Sequence, residues 1–278
     1  MTLQVGLIGY PVAHSLSPAF QQAAFDALAI DARYLLWPTP PEQVPARIAA
    51  LRLPKVLGAN VTVPHKQAAF AAVDEASDRA RWAGAVNTIV NRDGWLFGEN
   101  TDIPGFLAPL QDRGLALSSA SVIVLGAGGA ARGIMVALLS TGCTQVTVAN
   151  RSPETAARMI AAIEPSTPVD IAPLDESLAS RLAGATLLVN ATSIGWEGDA
   201  LPIPEQLLDA LPSPALVYDL TYRETPLIRA AARRGLATLD GLEMLIQQGA
   251  ESFRLWTGCE PPISVMRSAA KAARGASS

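Results

Sequence analysis

The amino-acid sequence predicts a two-domain α/β protein whose second domain holds a parallel sheet with helices on both of its faces. Three observations predict this fold class. Apolar strand-like runs alternate with helix-like segments along nearly the whole chain, and the alternation restarts after a helical segment at 104–113. A glycine-rich turn at 126–131 joins a strand to a helix in the second half. The 278 residues are enough for two domains with separate cores.

The first half is predicted to form an α/β domain with a mixed sheet. Its opening apolar run, 3–9, is typical of a buried strand, and Ser17-Pro18 is typical of an N-cap followed by proline at the first helical position. Arg92-Asp93-Gly94 separates two strand-like runs and predicts a hairpin turn. The remaining predictions are helices at 19–29, 41–51, 66–73 and 78–82 and strands at 33–37, 56–63, 86–90 and 95–97.

The second half is predicted to alternate strands and helices, which is the pattern of a parallel sheet. The helix at 152–163 is expected to open on Ser152 as a cap, with Pro153 at its first position. Two amphipathic helices, 242–256 and 264–273, are predicted near the end of the chain. The other segments are helices at 130–140 and 226–234 and strands at 121–125, 145–149, 186–190 and 216–220.

Composition and charge narrow the classes of function. The formal net charge of −4 gives no general attraction to nucleic acid or to an anionic membrane, so any anion must be recognised locally. Cys143 and Cys259 are too few for a disulfide framework and lack the spacing of a metal site. We therefore expect no metal and a reducing, cytoplasmic environment. We also expect no membrane partner, because there is no secretory pattern at the start and no uncharged apolar run of about 18 residues.

The turn Gly126-x-Gly128-x-x-Ala131 has the spacing of a dinucleotide-binding fingerprint, with alanine at the third position. Its context fits, because a strand precedes it and a helix and a second strand follow it. Glycines at these positions let the backbone turn tightly and approach a pyrophosphate, whose charge then lies at the helix N-terminus. The sequence therefore predicts a Rossmann-type, doubly wound nucleotide domain, the alternative being an ordinary glycine turn.

The second strand of this domain ends at Asn150-Arg151-Ser152, where NAD enzymes usually place a carboxylate on the ribose hydroxyls. No carboxylate stands there. An arginine at this position can pair with a 2′-phosphate, which favours NADP over NAD as the cofactor. The alternative is that Arg151 is a solvated surface cation.

Ser15 and Ser17 bracket the start of the first helix, where hydroxyls and free backbone N–H groups can bind a carboxylate. They could equally form only a turn and a helix cap. Lys66 follows a strand and Pro64, and Asp102 follows another strand. An ammonium group near a ketone stabilises the oxyanion that hydride transfer creates and supplies its proton, worth ~10²–10⁴-fold in rate. Unless both are surface charges, the sequence predicts a reductase acting on a small anionic ketone.

These motifs, in this order and over nearly the whole chain, resemble the shikimate dehydrogenase family. The resemblance rests on the segments 14–18, 60–66, 84–88, 100–102, 126–132, 150–152, 190–195, 218–222 and 240–245. It implies reversible, NADPH-dependent reduction of 3-dehydroshikimate to shikimate, a step in aromatic amino acid biosynthesis. It also implies small-molecule partners only, and a monomer or homodimer.

Site residues follow from the resemblance position by position. Lys66 and Asp102 would be the catalytic pair. Ser15 and Ser17 would hold the substrate carboxylate with Tyr222 nearby, and the ring hydroxyls would be bound by Thr62, Asn87, Asp102 and Gln248. The cofactor would contact Gly126, Ala127, Gly128, Gly129, Ala130, Asn150, Arg151, Ser152, Thr192, Leu220 and Gly241.

The resemblance implies a substrate domain at 1–102, completed by the C-terminal helices at 242–278, and an NADP domain at 103–241, with a cleft between them that closes. One departure concerns the cofactor. NADP-preferring relatives often carry a second arginine shortly after the first, and here Pro153, Glu154 and Thr155 stand in its place. This leaves open a relaxed preference for NADP.

Two other functions stay open. A quinate or quinate/shikimate dehydrogenase using NAD is the nearest, although Ser17 and Arg151 favour shikimate and NADP. A catalytically silent, NADP-binding regulatory protein is the second, but such a protein would be expected to have lost the pair Lys66 and Asp102, which this chain keeps.

Overall fold

A computed structural model describes residues 2–276. The chain forms two compact units. The first comprises the chain up to Phe106 together with the chain from Leu245 onward, and the second comprises Leu107–Met244. The domain boundaries predicted from the sequence, 1–102 with 242–278 and 103–241, stay a prediction.

The secondary structure is numbered here in chain order. The strands are β1 Leu3–Gly9, β2 Ala32–Pro38, β3 Val56–Val61, β4 Glu75–Ala76, β5 Thr88–Arg92, β6 Trp95–Glu99, β7 Ser121–Leu125, β8 Gln145–Ala149, β9 Asp170–Ala172, β10 Leu187–Asn190, β11 Leu216–Asp219 and β12 Ala237–Leu239. The helices are α1 Ser17–Ala27, α2 Val44–Ala50, α3 Lys66–Ala72, α4 Asp78–Ala83, α5 Asp102–Gln111, α6 Gly129–Ser140, α7 Pro153–Ile163, α8 Ala179–Leu182, α9 Pro226–Arg233, α10 Leu242–Thr257 and α11 Ile263–Ala276. None of these helices, in the part of the chain that the structure describes, is long and apolar enough to cross a bilayer.

The first unit contains a mixed sheet in the order β2-β1-β3-β5-β6-β4, as predicted. Strands β1, β2 and β3 are parallel, whereas β5 is antiparallel to both β3 and β6. The β5–β6 hairpin turns at Asp93 and Gly94, which both have positive φ, the requirement of a tight type I′ turn. One face of the sheet is covered by a cluster that includes Ile8, Ile48 and Ile89, all nearly inaccessible to water.

The C-terminal helices complete the first unit. Gln21 in α1 donates a hydrogen bond to the carbonyl oxygen of Gly249 at 2.9 Å, and the indole N–H of Trp256 donates to the carbonyl oxygen of Ile89 in β5, also at 2.9 Å. Gly58 makes room for the second bond. With φ of +153°, it has no side chain at a point where a Cβ would lie 2.0 Å from the Ile89 oxygen. Helix α10 is thereby fixed to the central strands of the sheet.

The second unit contains a parallel sheet in the order β12-β11-β10-β7-β8-β9. Strand β7 enters the middle of the sheet, β8 and β9 extend it on one side, and β10 to β12 extend it on the other. The order reverses between β7 and β10, which is where doubly wound sheets bind their ligands. The predicted fold class, a Rossmann-type doubly wound sheet beside an α/β domain, is confirmed. Edge strands β9 and β12 were not predicted, because three residues are too few to show a period.

Of two predicted helix caps, Ser17 is wrong, and Ser152 with Pro153 is correct in position but makes no side-chain cap bond. Ser17 is the first residue of α1, and Leu16 occupies the cap position without a side-chain cap bond. The N–H of Ser17 donates instead to the hydroxyl of Ser15 at 3.2 Å. Ser152 does precede α7, but its hydroxyl donates to Glu154 rather than accepting from the helix. The Ser17 hydroxyl bonds the phenol of Tyr34 and the Ser152 hydroxyl bonds Glu154, so neither serves as the acceptor that sequence rules assume.

We expect Gly58→Ala to lower the free energy of unfolding by about 3 kcal/mol or more, because the methyl group collides with the Ile89 carbonyl. Gly94→Ala is the matched control. It also changes a glycine with positive φ in the same unit, but its nearest neighbour would be 4.0 Å away, so we expect a cost of about 1–2 kcal/mol. Urea unfolding followed by tryptophan fluorescence measures both, and equal losses would contradict the packing argument.

Candidate active site

Lys66 and Asp102 form an ion pair in the first unit. Lys66 is the first residue of α3 and Asp102 is the first residue of α5. The distance from Lys66 Nζ to Asp102 Oδ2 is 2.6 Å, and the two side chains are 24% and 19% exposed. The structure therefore brings together the two residues predicted to act as a catalytic pair, and it leaves the ammonium group accessible to a ligand.

Helix ends explain why the pair is held so closely. The N-terminus of a helix carries partial positive charge, which favours the carboxylate of Asp102 and disfavours the ammonium group of Lys66. The cation is thus placed where its own helix does not stabilise it. Asp102 supplies the compensating charge, so removing Asp102 would leave the ammonium group of Lys66 in an unfavourable field.

The amide of Asn87 holds the second oxygen of this carboxylate. Asn87 Nδ2 donates to Asp102 Oδ1 at 2.8 Å, and Asn87 Oδ1 accepts from the backbone N–H of Thr101 at 2.7 Å. Because a backbone N–H can only donate, the amide orientation is determined. Asp102 therefore has one oxygen on the Lys66 ammonium group and the other on Asn87, which fixes the plane of its carboxylate.

Behind Asn87 lies a layer of buried hydroxyl groups that sequence reasoning did not identify as functional. Thr88, Thr101 and Ser252 are each 0% exposed, and their side-chain oxygens lie within 3.2 Å of one another. Thr88 and Thr101 fall within the motifs described above, but Ser252 does not. A signal was present for Ser252, because it follows Gln248 by one helical turn on the buried side of an amphipathic helix.

His65 anchors the residue before Lys66. It is 2% exposed, and its Nε2 lies 2.6 Å from the carbonyl oxygen of Thr39. Since a carbonyl oxygen can only accept, Nε2 carries the hydrogen. The bond ties the start of α3 to the segment after β2, so His65 positions Lys66. Among the described residues, no group of three or more His, Cys, Asp or Glu side chains is arranged to hold a metal ion.

Four other predicted substrate residues lie in the first unit. Ser17 is 5% exposed and its hydroxyl bonds the phenol of Tyr34, while Ser15 is half-buried. Thr62 follows β3, and its methyl group packs where Gly9 has no side chain. Gln248 in α10 is 8% exposed, and its Oε1 lies 3.5 Å from Thr101 Oγ1.

Tyr222 belongs to the second unit, where its ring meets that of Trp196 edge-on with centroids 5.0 Å apart. Burial raises the pKa of the Tyr222 phenol, so the phenol stays protonated at neutral pH. Arg223 lies over the other ring, with its guanidinium carbon 4.6 Å from the Trp196 centroid. The structure gives Tyr222 a fixed ring and leaves its predicted contact with a carboxylate as a prediction.

The glycine-rich turn has the shape that a phosphate requires. Gly126 is buried with φ of +104°, and a Cβ there would lie 2.9 Å from Thr192 Cγ2. Beyond Ala127 the turn opens, since a Cβ on Gly128 or Gly129 would meet no atom within 4 Å. Gly128, Gly129 and Ala130 are exposed at the start of α6, whose cap makes no side-chain bond. The free N–H groups of this helix end therefore face open space, as an anion site needs.

A buried polar group at the ends of β10 and β11 positions three of the predicted cofactor residues, Thr192, Leu220 and Gly241. Asn190, 0% exposed, accepts bonds from the N–H and hydroxyl of Thr192 and donates to Asp219. Leu220 directly follows Asp219, and its carbonyl oxygen would lie 1.9 Å from a Cβ on Gly241. Only glycine permits this approach, so the three predicted cofactor residues share one rigid edge of the sheet.

The segment Asn150-Arg151-Ser152 directly follows β8 and lies beside the glycine turn, because β7 and β8 are neighbours. Arg151 is exposed, whereas Asn150 donates to the carbonyl oxygen of Ser152 at 2.9 Å. Ser152 donates to Glu154 at 2.8 Å. The backbone N–H of Glu154 and this hydroxyl hold the pKa of the Glu154 carboxyl below its usual value. An ionised carboxylate therefore stands beside Ser152, in the same short segment as the arginine predicted to bind a phosphate.

Three family models match the chain in sequence order. The shikimate dehydrogenase substrate binding domain matches residues 7–89, the shikimate/quinate 5-dehydrogenase family matches residues 110–195, and the shikimate 5'-dehydrogenase C-terminal domain matches residues 241–271. The shikimate dehydrogenase (NADP(+)) of Symbiobacterium thermophilum is 44% identical over 97% of this chain and 94% of its own length. The chain belongs to the shikimate dehydrogenase family.

Other members of the family agree with this assignment. The shikimate dehydrogenase (NADP(+)) of Rubrobacter xylanophilus is 44% identical over 96% of this chain and 95% of its own length. Among solved structures, shikimate 5-dehydrogenase from Thermus thermophilus, in complex with NADP(H) and shikimate, is 40% identical. It superposes with a TM-score of 0.87 over 98% of this chain and 100% of that one. Both the fold and the family predicted from the sequence are confirmed.

Proposed function

We propose that this chain is an NADP-dependent shikimate dehydrogenase, an oxidoreductase that reversibly reduces 3-dehydroshikimate to shikimate in aromatic amino acid biosynthesis. The observation that carries the proposal is the pair Lys66–Asp102, with 2.6 Å between Nζ and Oδ2, in the unit that matches the substrate binding domain of the family. The names of the relatives supply the substrate and cofactor class.

The chemistry follows from what the pair can do. When bound, NADPH supplies the hydride that the carbonyl carbon receives. Lys66 donates a proton to the carbonyl oxygen as negative charge develops there, so the ketone becomes an alcohol and the ammonium group becomes an amine. In the oxidation direction the amine takes the proton back. Asp102 keeps Lys66 oriented and offers its carboxylate to a neighbouring hydroxyl of the substrate, while Asn87 keeps Asp102 in place.

The substrate's carboxylate fits the start of α1, and this part of the proposal rests on Ser15 and Ser17. Hydroxyls and helix N–H groups bind a carboxylate without the strong charge of an arginine. For the ring hydroxyls, the first unit offers hydroxyl and amide groups from Thr62, Asn87 and Gln248. The first unit therefore distributes neutral polar groups around one ion pair.

The second unit fits NADP. The open start of α6 suits the pyrophosphate, with Gly126, Ala127, Gly128, Gly129 and Ala130 as its cradle. Arg151, with Asn150 and Ser152, suits the 2′-phosphate, and Thr192, Leu220 and Gly241 border the remaining path. The positive φ of Gly126 and the empty space beside Gly128 and Gly129 support this assignment.

A quinate/shikimate dehydrogenase using NAD is a second candidate, and one observation favours it. The ionised Glu154 stands next to Ser152 and would repel a 2′-phosphate, which weakens the preference for NADP. Ser17 and Arg151 favour shikimate and NADP. The intact pair Lys66–Asp102 opposes a silent regulatory role.

The cytoplasm is the proposed location. Cys143 is buried and Cys259 is exposed, and both are free thiols, which suits a reducing compartment. A monomer or a homodimer is the proposed oligomeric state, to be decided by sedimentation equilibrium.

Steady-state kinetics with shikimate or quinate, each with NADP⁺ or NAD⁺, test the proposed function. We expect the highest kcat/KM with shikimate and NADP⁺. A higher kcat/KM for quinate with NAD⁺ would contradict the proposed function and favour the second candidate. Ligand binding without any turnover of the four combinations would favour the regulatory role.

Lys66→Ala is expected to lower kcat by ~10²–10⁴-fold with a much smaller change in KM, because the proton donor acts mainly in the transition state. Ser15→Ala should instead raise the KM for shikimate about 5–10-fold with little change in kcat, because the carboxylate is bound in both states. Lys271→Ala, an exposed lysine on α11, is the control for loss of a positive charge. Near-normal turnover of Lys66→Ala would exclude it as the proton donor.

Arg151→Gln should raise the KM for NADP⁺ about 10-fold or more, the cost of a charge-assisted hydrogen bond, while the KM for NAD⁺ changes little. Glu154→Gln should act in the opposite direction and lower the KM for NADP⁺, since it removes the repelling charge. Arg158→Gln is the matched control, because Arg158 is one turn further on and bonds Thr155. Parallel changes with both cofactors in Arg151→Gln would show that it does not read the 2′-phosphate.

A further inference from the structure

Ser252 lies at the centre of the buried hydroxyl layer in the first unit. Its Oγ is 2.8 Å from Thr88 Oγ1, 3.2 Å from Thr101 Oγ1 and 3.0 Å from Asn60 Nδ2. It also lies 2.9 Å from the carbonyl oxygen of Gln248, one turn earlier in α10. These partners come from β3, β5, the segment before α5, and α10. A single hydroxyl group thus joins the C-terminal helix to the strands that carry the candidate active site.

The direction of the hydrogen bonds around Ser252 is determined by the groups at their ends. The Gln248 carbonyl can only accept, so the single hydrogen of Ser252 goes to it. The amide of Asn60 is oriented with its Oδ1 on the Tyr34 hydroxyl and its Nδ2 toward the carbonyl oxygen of Asn87, so it donates to Ser252. Toward Thr88, Ser252 can therefore only accept, and at 2.8 Å it is the nearest of three acceptors for the hydrogen of Thr88, ahead of Thr101 Oγ1 at 3.0 Å and Asn87 Oδ1 at 3.2 Å.

The direction of the Thr88 hydrogen determines which hydroxyl group donates to Asn87 Oδ1. Thr88 Oγ1 and Thr101 Oγ1 both lie 3.2 Å from it, and each has one hydrogen. With the hydrogen of Thr88 on Ser252, Asn87 Oδ1 accepts from the hydroxyl and the backbone N–H of Thr101, the residue next to Asp102. Without Ser252, the hydrogen of Thr88 loses its nearest acceptor and turns to Thr101 Oγ1 at 3.0 Å or to Asn87 Oδ1 at 3.2 Å. In either case the hydroxyl groups that contact the Asn87 amide are rearranged, which alters its position against Asp102.

We infer that Ser252 is a positioning residue for the reaction. Its hydroxyl sets the direction of the hydrogen bonds behind Asn87 and so holds the Asn87 amide against the carboxylate that orients Lys66. Ser252 is 0% exposed and acts only through other side chains. The inference rests on the proposed function, because turnover is its measure.

The test is steady-state oxidation of shikimate with NADP⁺ by the full chain, with thermal unfolding recorded for every variant. Ser252→Ala should lower kcat about 10-fold, as expected for a small misplacement of reacting groups. The KM for shikimate should change by less than about 3-fold, since the binding hydroxyls remain. Ser252→Cys, which keeps a weak donor and acceptor of similar size, should give an intermediate kcat and replaces the alanine variant if that does not fold.

Ser268→Ala is the matched control. Ser268 in α11 makes the same bond to a carbonyl one turn earlier, Ser264 at 3.0 Å, but lies on an exposed surface. We expect it to keep the wild-type kcat. Asn87→Ala supplies a double-mutant cycle: if Ser252 acts through Asn87, adding Ser252→Ala to Asn87→Ala should change kcat by less than about 2-fold.

Three outcomes would overturn the inference. The first is a kcat within about 2-fold of wild type in Ser252→Ala. The second is the same decrease of about 10-fold in kcat when Ser252→Ala is added to Asn87→Ala as when it is made in the wild type. The third is a lower unfolding temperature with unchanged kinetics, which would make Ser252 purely structural. Wild-type turnover separates the two proposals. A chain without shikimate-dependent NADP⁺ reduction overturns the proposed function and the inference with it, whereas an active chain with an unaffected Ser252→Ala overturns the inference alone.

Discussion

The contact between the ammonium group of Lys66 and the carboxylate of Asp102 is the interaction on which the rest of the first unit depends. Each charge stands at the start of a helix, whose field favours the carboxylate of Asp102 and disfavours the ammonium group of Lys66, so Lys66 depends on its partner. Their partial exposure leaves them usable by a ligand. On the Asp102 side, the Asn87 amide holds the carboxylate and is itself oriented by the backbone N–H of Thr101. On the Lys66 side, the ring of His65 is held by a backbone carbonyl oxygen.

The second unit also relies on buried polar groups, which here support an exposed glycine turn. An anion site built from a helix end needs glycines with nothing around them, and such a turn has little packing to hold it. Asn190 and Asp219, both 0% exposed, provide the missing rigidity from the neighbouring strands. Their bonds to Thr192 and to the N–H of Thr221 order the loops that border the turn. Buried polar groups thus support the exposed backbone.

Much of this arrangement was predictable from the sequence, for physical reasons. Strands β7 and β8 were placed correctly because buried parallel strands are continuous apolar runs, and the glycine turn was identified because only glycine permits its backbone. The pairing of Lys66 with Asp102 required the family resemblance, since thirty-six positions separate them in sequence. The cap assigned to Ser17 failed because its hydroxyl bonds the phenol of Tyr34, a partner that is distant in sequence. Ser252 was missed because its position one turn after Gln248 indicates only a buried helix face, and its partners Asn60 and Thr88 come from distant strands.

The attachment of α10 to the first sheet has a consequence for biosynthesis. Phe25 packs against Phe253 with ring centroids 5.0 Å apart, and Trp256 bonds Ile89, so parts of the first unit are covered by residues that are translated only after the second unit. On the ribosome, the second unit is complete before the first has received α10 and α11. The nascent substrate half therefore waits with an uncovered apolar sheet while its neighbour folds, which is the interval in which a chaperone would be of use.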